Sequence, residues 1–363
     1  MHDIEEEDKE LLDVLGPKTR NGAARCCSSL GVAVGLAVGL LLGYGQAALV
    51  FANINGNYTA RGRDLAASAA LAARSPAAGQ GDGSSLAVCR QLWARKEGNY
   101  ALAERNWFSM LAQVGRAIGG ALPHKPHRLS FDAYEPLWSC EERERVGAGT
   151  RYATTGDGPK FVCGVETLKQ PCLVYNIGSN NDVSFESAIH AHTGCEIHTF
   201  DHTLSRPYIG SQYSSFHAIG LAGRERVSEK GWNMMSLADI MRNLSHVGRR
   251  IDILKVDCEG CEWEALPAVF SEMEKGKLSV GQLLIEVHVM PVWTRRHSAF
   301  FDNAAKAGLR MFSKERNHWG CDGWMCVEFS YVDRQHACRA FTNTHCPAAS
   351  PEQVCPEPPR VGA

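Results

Sequence analysis

Two stretches of this sequence carry groups suited to moving protons. The first, Ile253-Leu254-Lys255-Val256-Asp257-Cys258-Glu259-Gly260-Cys261-Glu262-Trp263, is an apolar run that ends in an acid, a turn and more acids. Asp257 stands where a strand would leave its sheet, with Glu259 and Gly260 turning the chain into a helix. Two carboxylates at such an edge can orient a nucleophile, take its proton or bind a metal. The second stretch, QLLIEVHV, places Glu286 and His288 two residues apart, so on a strand both side chains take the same face. A histidine there is a candidate general base, because its unperturbed pKa lies near neutrality. Asp257, Glu286 and His288 are therefore the candidate catalytic residues. For His288 the competing reading is a buried imidazole satisfied by a carboxylate.

A second group of residues suits a nucleoside. After the apolar run CLVYNI come Gly178, Ser179, Asn180, Asn181 and Asp182. Gly178 lets backbone approach a ligand closely, and Asn176, Ser179 and Asn180 offer hydrogen bonds around it. Asp201 ends the next apolar run, 25 residues after Asn176. An acidic residue there commonly accepts hydrogen bonds from ribose hydroxyls; a turn or cap aspartate is the plainer alternative. Gly220, on the third run, completes the candidate cofactor set. The GxGxxG fingerprint is absent, which counts against NAD or FAD. No metal site is expected, since Cys258 and Cys261 form the sole C-x-x-C pair after the N-terminal apolar run and nothing completes a zinc site.

The elements that would position these residues alternate in type. Strands are expected at Cys172–Ile177, Glu196–Phe200, Phe216–Leu221, Ile251–Val256 and Gln282–Val289. Between them lie helical stretches: SFESAIHAH, and one with Leu237, Ile240, Met241, Leu244 and Val247 at helical spacing. Such alternation gives βαβ units and a mostly parallel sheet with helices on both faces. Late strands at Leu309–Phe312 and Met325–Val332 would close one edge antiparallel. In such sheets ligands bind beyond the carboxyl ends of the strands, where all the candidates lie.

These motifs together resemble a known family. Phe131, Trp138 and Cys140, then Arg145-Val146-Gly147, then GDGPKFVC (156–163) look like the entry region of the methyltransferase-like proteins related to methyltransferase-like protein 24. CLVYNIGSNNDVSFE (172–186) and IDILKVDCEGCEWEAL (251–266) are similar to that family's diagnostic motifs, and the latter also resembles FkbM-type methyltransferases. The resemblance covers roughly 131–333. It implies a Rossmann-like class I methyltransferase fold with a mostly parallel seven-stranded sheet. S-adenosyl-L-methionine would be the cofactor, its methionine part cradled at Gly178 and its ribose held by Asp201. The sequence departs at Asn176, where many such enzymes have an acid, and lacks a second glycine near Asn180.

The flanks suggest a setting. Leu30 to Ile54 is an uncharged apolar run of 25 residues, long enough to cross a bilayer as a signal anchor. The expected division is a cytosolic tail (1–29), an anchor (30–54), a helical stem (55–125), a methyltransferase domain (126–345) and an extended Pro-rich tail (346–363). Of 14 cysteines, 12 follow the anchor and are scattered, a pattern that fits disulfides in an oxidising compartment while leaving connectivity open. The acceptor triplet Asn57-Tyr58-Thr59 agrees with a luminal bulk; Asn243-Leu244-Ser245 falls in a predicted helix. A single-pass type II protein of the Golgi or endoplasmic reticulum is expected, with secretion after cleavage the alternative. The net charge of -2 shows no basic stripe, so the partners expected are the cofactor, a membrane and a glycan, lipid or protein acceptor, and not nucleic acid. O-methylation of a luminal glycan is the leading reading. A glycosyltransferase using Asp257 and Glu259 for metal and nucleotide sugar, and a catalytically silent binding domain, remain as alternatives.

Overall fold

The computed structural model describes residues 83–117, 131–132, 134–147, 156–289 and 295–356. The expected anchor and the triplet at Asn57 lie outside the described residues. Among the described residues no helix is long and apolar enough to cross a membrane.

In chain order the elements are α1 (Gly83–Ala117), β1 (Arg143–Val146), β2 (Lys160–Cys163), β3 (Leu173–Ile177), α2 (Ser184–Thr193), β4 (Glu196–Phe200), β5 (Ser215–His217), β6 (Gly220–Leu221), β7 (Arg226–Val227), β8 (Asn233–Met235), α3 (Leu237–Asn243), β9 (Ile251–Val256), α4 (Glu262–Glu274), β10 (Val280–His288), α5 (Arg295–Lys306), β11 (Arg310–Arg316), β12 (Cys326–Val332), α6 (Arg334–His345) and α7 (Pro351–Val354). Seven strands form the main sheet in the order β11-β12-β10-β9-β3-β4-β5. β3, β4, β5, β9 and β10 run parallel, whereas β12 is antiparallel to both β10 and β11. The chain leaves β3 toward β5, then returns to β9 on the other side. That reversal makes the crevice between β3 and β9 the switch point.

Alternation of side chains builds two cores, one on each face. Tyr175, Ile177, Leu254, Val256, Leu283 and Ile285 pack with residues of α3, α4 and α5. Val174, Ile253 and Leu284 pack with residues of α1, α2 and α6. The central strands are buried on both sides, which is why they read as mostly apolar runs, with a few polar residues such as Asn176, Lys255 and Glu286 set among them.

Four features differ from the sequence expectation. The run Phe216–Leu221 is split: β5 ends at His217, and Gly220–Leu221 pairs with β8 in a separate three-stranded sheet. α3 stops at Asn243, with Ser245 at φ 59°, so the triplet at Asn243 straddles a helix end. Residues 347–356 of the expected extended tail are ordered, because Ser350 caps α7 in a capping box, Pro351 opens it, and Cys355 is bonded to Cys338. Lastly, α1 is docked on the domain, although it falls within the expected stem. Cys89 is bonded to Cys346, Trp93 is 3% exposed against Trp138 and Phe341, and Arg310 pairs with Glu97. Leu92, on the same helix, is 41% exposed.

Candidate active site

The carboxyl ends of β3, β4 and β9 frame a cleft of about 570 Å³. Gly178, Ser179, Asn180, Asp201, Gly220, Asp257 and Glu286 all line it. Seven of the nine candidate residues thus meet in one place; Asn176 and His288 do not line it.

The turn after β3 is held from behind. Asp201 Oδ2 accepts the Ser179 and Asn180 amides at 3.0 and 2.7 Å, and Oδ1 accepts the Thr203 amide and hydroxyl at 2.8 and 2.7 Å. Burial would raise this carboxyl's pKa, but these four donors outweigh burial and hold it below the usual range. Four donors fill the carboxylate's acceptor positions. Asp201 therefore shapes the turn, and a ribose would have to displace one of its own-chain donors. Gly178 has φ +81°, and a Cβ there would fall 1.7 Å from the Asp257 carbonyl oxygen. Only glycine lets the two strand ends lie so close. The Ser179 Oγ is buried beside the cleft and has no hydrogen-bond partner among the described residues.

Asn176 lies one layer below. It is fully buried, donates to Glu186 Oε1 at 2.7 Å and accepts from Lys255 Nζ at 2.9 Å. An aspartate there would set a second carboxylate against Glu186, also fully buried, so the amide is what this packing requires. The expectation that Asn176 meets the cofactor is corrected: its side chain supports the floor.

The other end of the cleft is a charge cluster. Asp257, Glu286 and Glu328 bring carboxylate oxygens within 4.8 Å of one another. Among them sits Lys160, 2% exposed, with its ammonium 3.1 Å from Asp257 Oδ2 and bonded to Glu328. Burial alone would lower the lysine's pKa, but Asp257, Glu328 and Glu286 push it up, so it supplies the cation that such a cluster would otherwise take from a metal. Burial likewise works against the Asp257 charge, but Lys160 and Lys255 hold this carboxyl well below the usual range. Glu286 goes the other way: burial, then the Glu328 and Asp257 charges, raise it to about 9. Glu328 rises to about 6, chiefly through burial. At neutral pH the cluster therefore holds an ionised Asp257 beside a protonated Glu286. Asn317 fixes Glu286 through a 2.8 Å bond to Oε1 and reaches Asp157 at the cleft wall.

His288 is corrected too. Its Nδ1 lies 3.0 Å from Glu262 Oε1, and its Nε2 lies 3.3 Å from Glu259 and 3.7 Å from Glu286. Burial would lower its pKa, but Glu262, Glu286 and Glu259 raise it to about 9. It is a cation at neutral pH, unable to take a proton. It pins the start of α4 to the end of β10, close to the plainer reading given above. Lys160 was missed altogether. Its one sequence signal was its place in GDGPKFVC, where a lysine after proline reads as a solvated loop residue.

All twelve described cysteines pair: Cys89–Cys346, Cys140–Cys163, Cys172–Cys195, Cys258–Cys261, Cys321–Cys326 and Cys338–Cys355. Cys258, at the cleft wall, is thus a cystine half and not a free nucleophile.

The chain is similar in part to known proteins. Residues 102–333 match a protein family described as a methyltransferase domain. A protein of Homo sapiens described as probable methyltransferase-like protein 24 is 28% identical over 137 residues, 36% of this chain and 36% of its own length. That of Rattus norvegicus is 27% identical over 159 residues, 39% of this chain and 42% of its own. The chain thus matches less than half the length of either relative. Among solved structures, the methyltransferase FkbM from Methylobacillus flagellatus is 14% identical with a TM-score of 0.29, over 46% of this chain and 47% of that one. A fibrillarin from Aeropyrum pernix, in complex with natively bound S-adenosyl-L-methionine, is 11% identical with a TM-score of 0.30, over 46% and 68%. Since the family match takes in more than half of the chain and both motif-bearing strand ends, this chain belongs to the methyltransferase-domain family.

Proposed function

We propose that the domain binds S-adenosylmethionine in this cleft and methylates a hydroxyl oxygen of a luminal acceptor such as a glycan. The observation that carries the reading is the convergence of the Gly178 turn and the Asp257 edge on one cleft at the switch point. The lining fits the cofactor. Phe200, Ile219, Leu221 and Trp232 give an apolar side suited to a purine, while the unpartnered Ser179 Oγ and the Asn180 side offer polar contacts. The volume is in the range of small-molecule sites.

When bound, the cofactor supplies an electrophilic methyl group on a sulfonium. The protein's own work is positioning and charge. The ionised Asp257 lines the cleft and would accept a hydrogen bond from an acceptor hydroxyl brought into it. Its low pKa makes it a weak base, but a hydroxyl oxygen gaining a methyl becomes strongly acidic, so a weak base suffices for the proton. Glu286, holding its own proton, stands beside Asp257 and is fixed by Asn317. His288 acts at one remove, through Glu262. Asp257 also has Lys160 as its salt partner, which disfavours using Asp257 with Glu259 to hold a metal and nucleotide sugar.

A luminal, single-pass arrangement is part of the proposal. The six disulfides support an oxidising compartment. The test is calorimetric titration of the full chain with S-adenosylmethionine and S-adenosylhomocysteine, followed by labelled-methyl transfer to glycan, glycolipid and protein acceptors. Binding with transfer to a hydroxyl supports it. A folded sample that binds neither compound would return the domain to a silent binding role.

A further inference from the structure

A second polar cluster lies away from the cleft, where no charged or polar group has been given a role. Glu196 opens β4, His198 follows on the same face, and His246 comes from the segment after α3. Asp201, at the cleft, lies five residues farther along, roughly 16 Å at the rise of a strand. Glu196 Oε1 is 2.9 Å from His198 Nε2 and 3.2 Å from His246 Nε2, and all three atoms lie within 4.8 Å of one another.

We propose that Glu196, His198 and His246 form a zinc site that ties β4 to the segment following α3.

The spacing suits the ion. Four ligands in a tetrahedron at ~2.0–2.1 Å from zinc stand about 3.3 Å apart, close to the separations of Glu196 Oε1 from the two imidazoles. The outer partners suit it as well. A ligating imidazole uses one nitrogen for the metal and donates the other N–H to an oriented acceptor. His246 Nδ1 lies 2.7 Å from the Tyr175 hydroxyl, and His198 Nδ1 lies 2.9 Å from His217 Nε2. Both neighbours can accept a proton bond, and neither carries a fixed positive charge. Arg249 takes Glu196 Oε2 at 2.7 Å, leaving Oε1 as the single ligand atom. The imidazoles are mostly buried while the Glu196 side chain is 44% exposed, so solvent can reach the site and fill the fourth position with water. The rival arrangement, with Glu196 accepting an N–H from each imidazole, uses the opposite tautomers and needs no ion.

The experiment titrates the full chain, disulfides intact and stripped by chelation, with cobalt(II) and then zinc chloride. One equivalent of cobalt should give the intense visible bands of a tetrahedral centre, and one equivalent of zinc should abolish them. Zinc at a hundredfold excess over its Kd should raise Tm by about 5 °C, while magnesium and calcium should not. Glu196→Gln and His246→Gln should each weaken zinc at least tenfold. Tyr175→Phe, which keeps the ring and its packing, should weaken zinc about tenfold. If the unaltered chain gives neither bands nor thermal response, or if Tyr175→Phe and the ligand variants bind zinc as it does, the site is a hydrogen-bonded hub and the proposal is overturned. The outcome is independent of whether the cleft binds S-adenosylmethionine.

Discussion

Replacing Glu286 by glutamine is expected to make the protein more stable at neutral pH. The carboxyl is 4% exposed, stands directly across the antiparallel pair from Glu328, and keeps its proton up to about 9. In the unfolded chain a glutamate loses that proton near 4.5. Between these values the folded state binds the extra proton, so stability falls as pH rises, by about 1.4 kcal/mol per unit. From 4.5 to pH 7 the cost reaches about 3 kcal/mol. Glutamine cannot ionise in either state and escapes it. Its carbonyl can accept from Asn317, which now lies 2.8 Å from the carboxyl, and its amide can donate toward Asp257 as the protonated acid does. Urea midpoints for both proteins at pH 5, 7 and 9, with disulfides intact, give the comparison. The two should differ little at pH 5, and the gap in favour of glutamine should widen by about 1.4 kcal/mol per unit up to pH 9. Parallel curves, or a glutamine variant that is less stable at pH 7, would show that Glu286 is ionised in the fold and that the charge assignment of the cluster is wrong.

Further outcomes follow from the same contacts. Lys160→Met should cost about 3–5 kcal/mol in denaturant unfolding, because it strands carboxylates around an empty centre, and adding Glu328→Gln should recover part of the loss. His336, fully buried with Nε2 2.8 Å from the Cys163 carbonyl, is lowered to about 4 by burial and the Arg339 charge. Since the unfolded chain binds that proton near 6.5, stability should drop by about 1.4 kcal/mol per unit as pH falls from 6.5 toward 4, and His336→Gln should flatten that limb of a pH–Tm curve. Gly178→Ala should abolish the calorimetric signal with S-adenosylmethionine while far-UV circular dichroism is retained; unaltered affinity would remove the turn from the site.

Much of the fold was legible because buried parallel strands leave an unmistakable record. Leu173–Ile177 and Ile251–Val256 are buried on both faces and mostly apolar, and their ends carry the residues that line the cleft. What the sequence hid depends on distant partners. Lys160 is buried because Glu328 arrives 168 residues later, and no local pattern announces that. His288 looked like a base near neutrality, but Glu262 and Glu259, which sit in a motif read for other reasons, raise its pKa. Asn176 looked like a weakened cofactor contact until Glu186 was found against it. The docking of α1 was obscure because its contact stripe mixes Cys89, Trp93, Glu97 and Tyr100, and only the partners Cys346, Phe341 and Arg310 make that stripe a face.

The bond between Cys89 and Cys346 spans 257 positions and turns nearly the whole domain into a covalent loop. A protease that nicks the backbone once anywhere inside it yields no smaller species until a reductant is added, so intact mobility on a non-reducing gel says nothing about an unbroken chain. The loop also cannot close until its last cysteine has been made. Covalent fixing of the first helix thereby waits on the synthesis of Cys346.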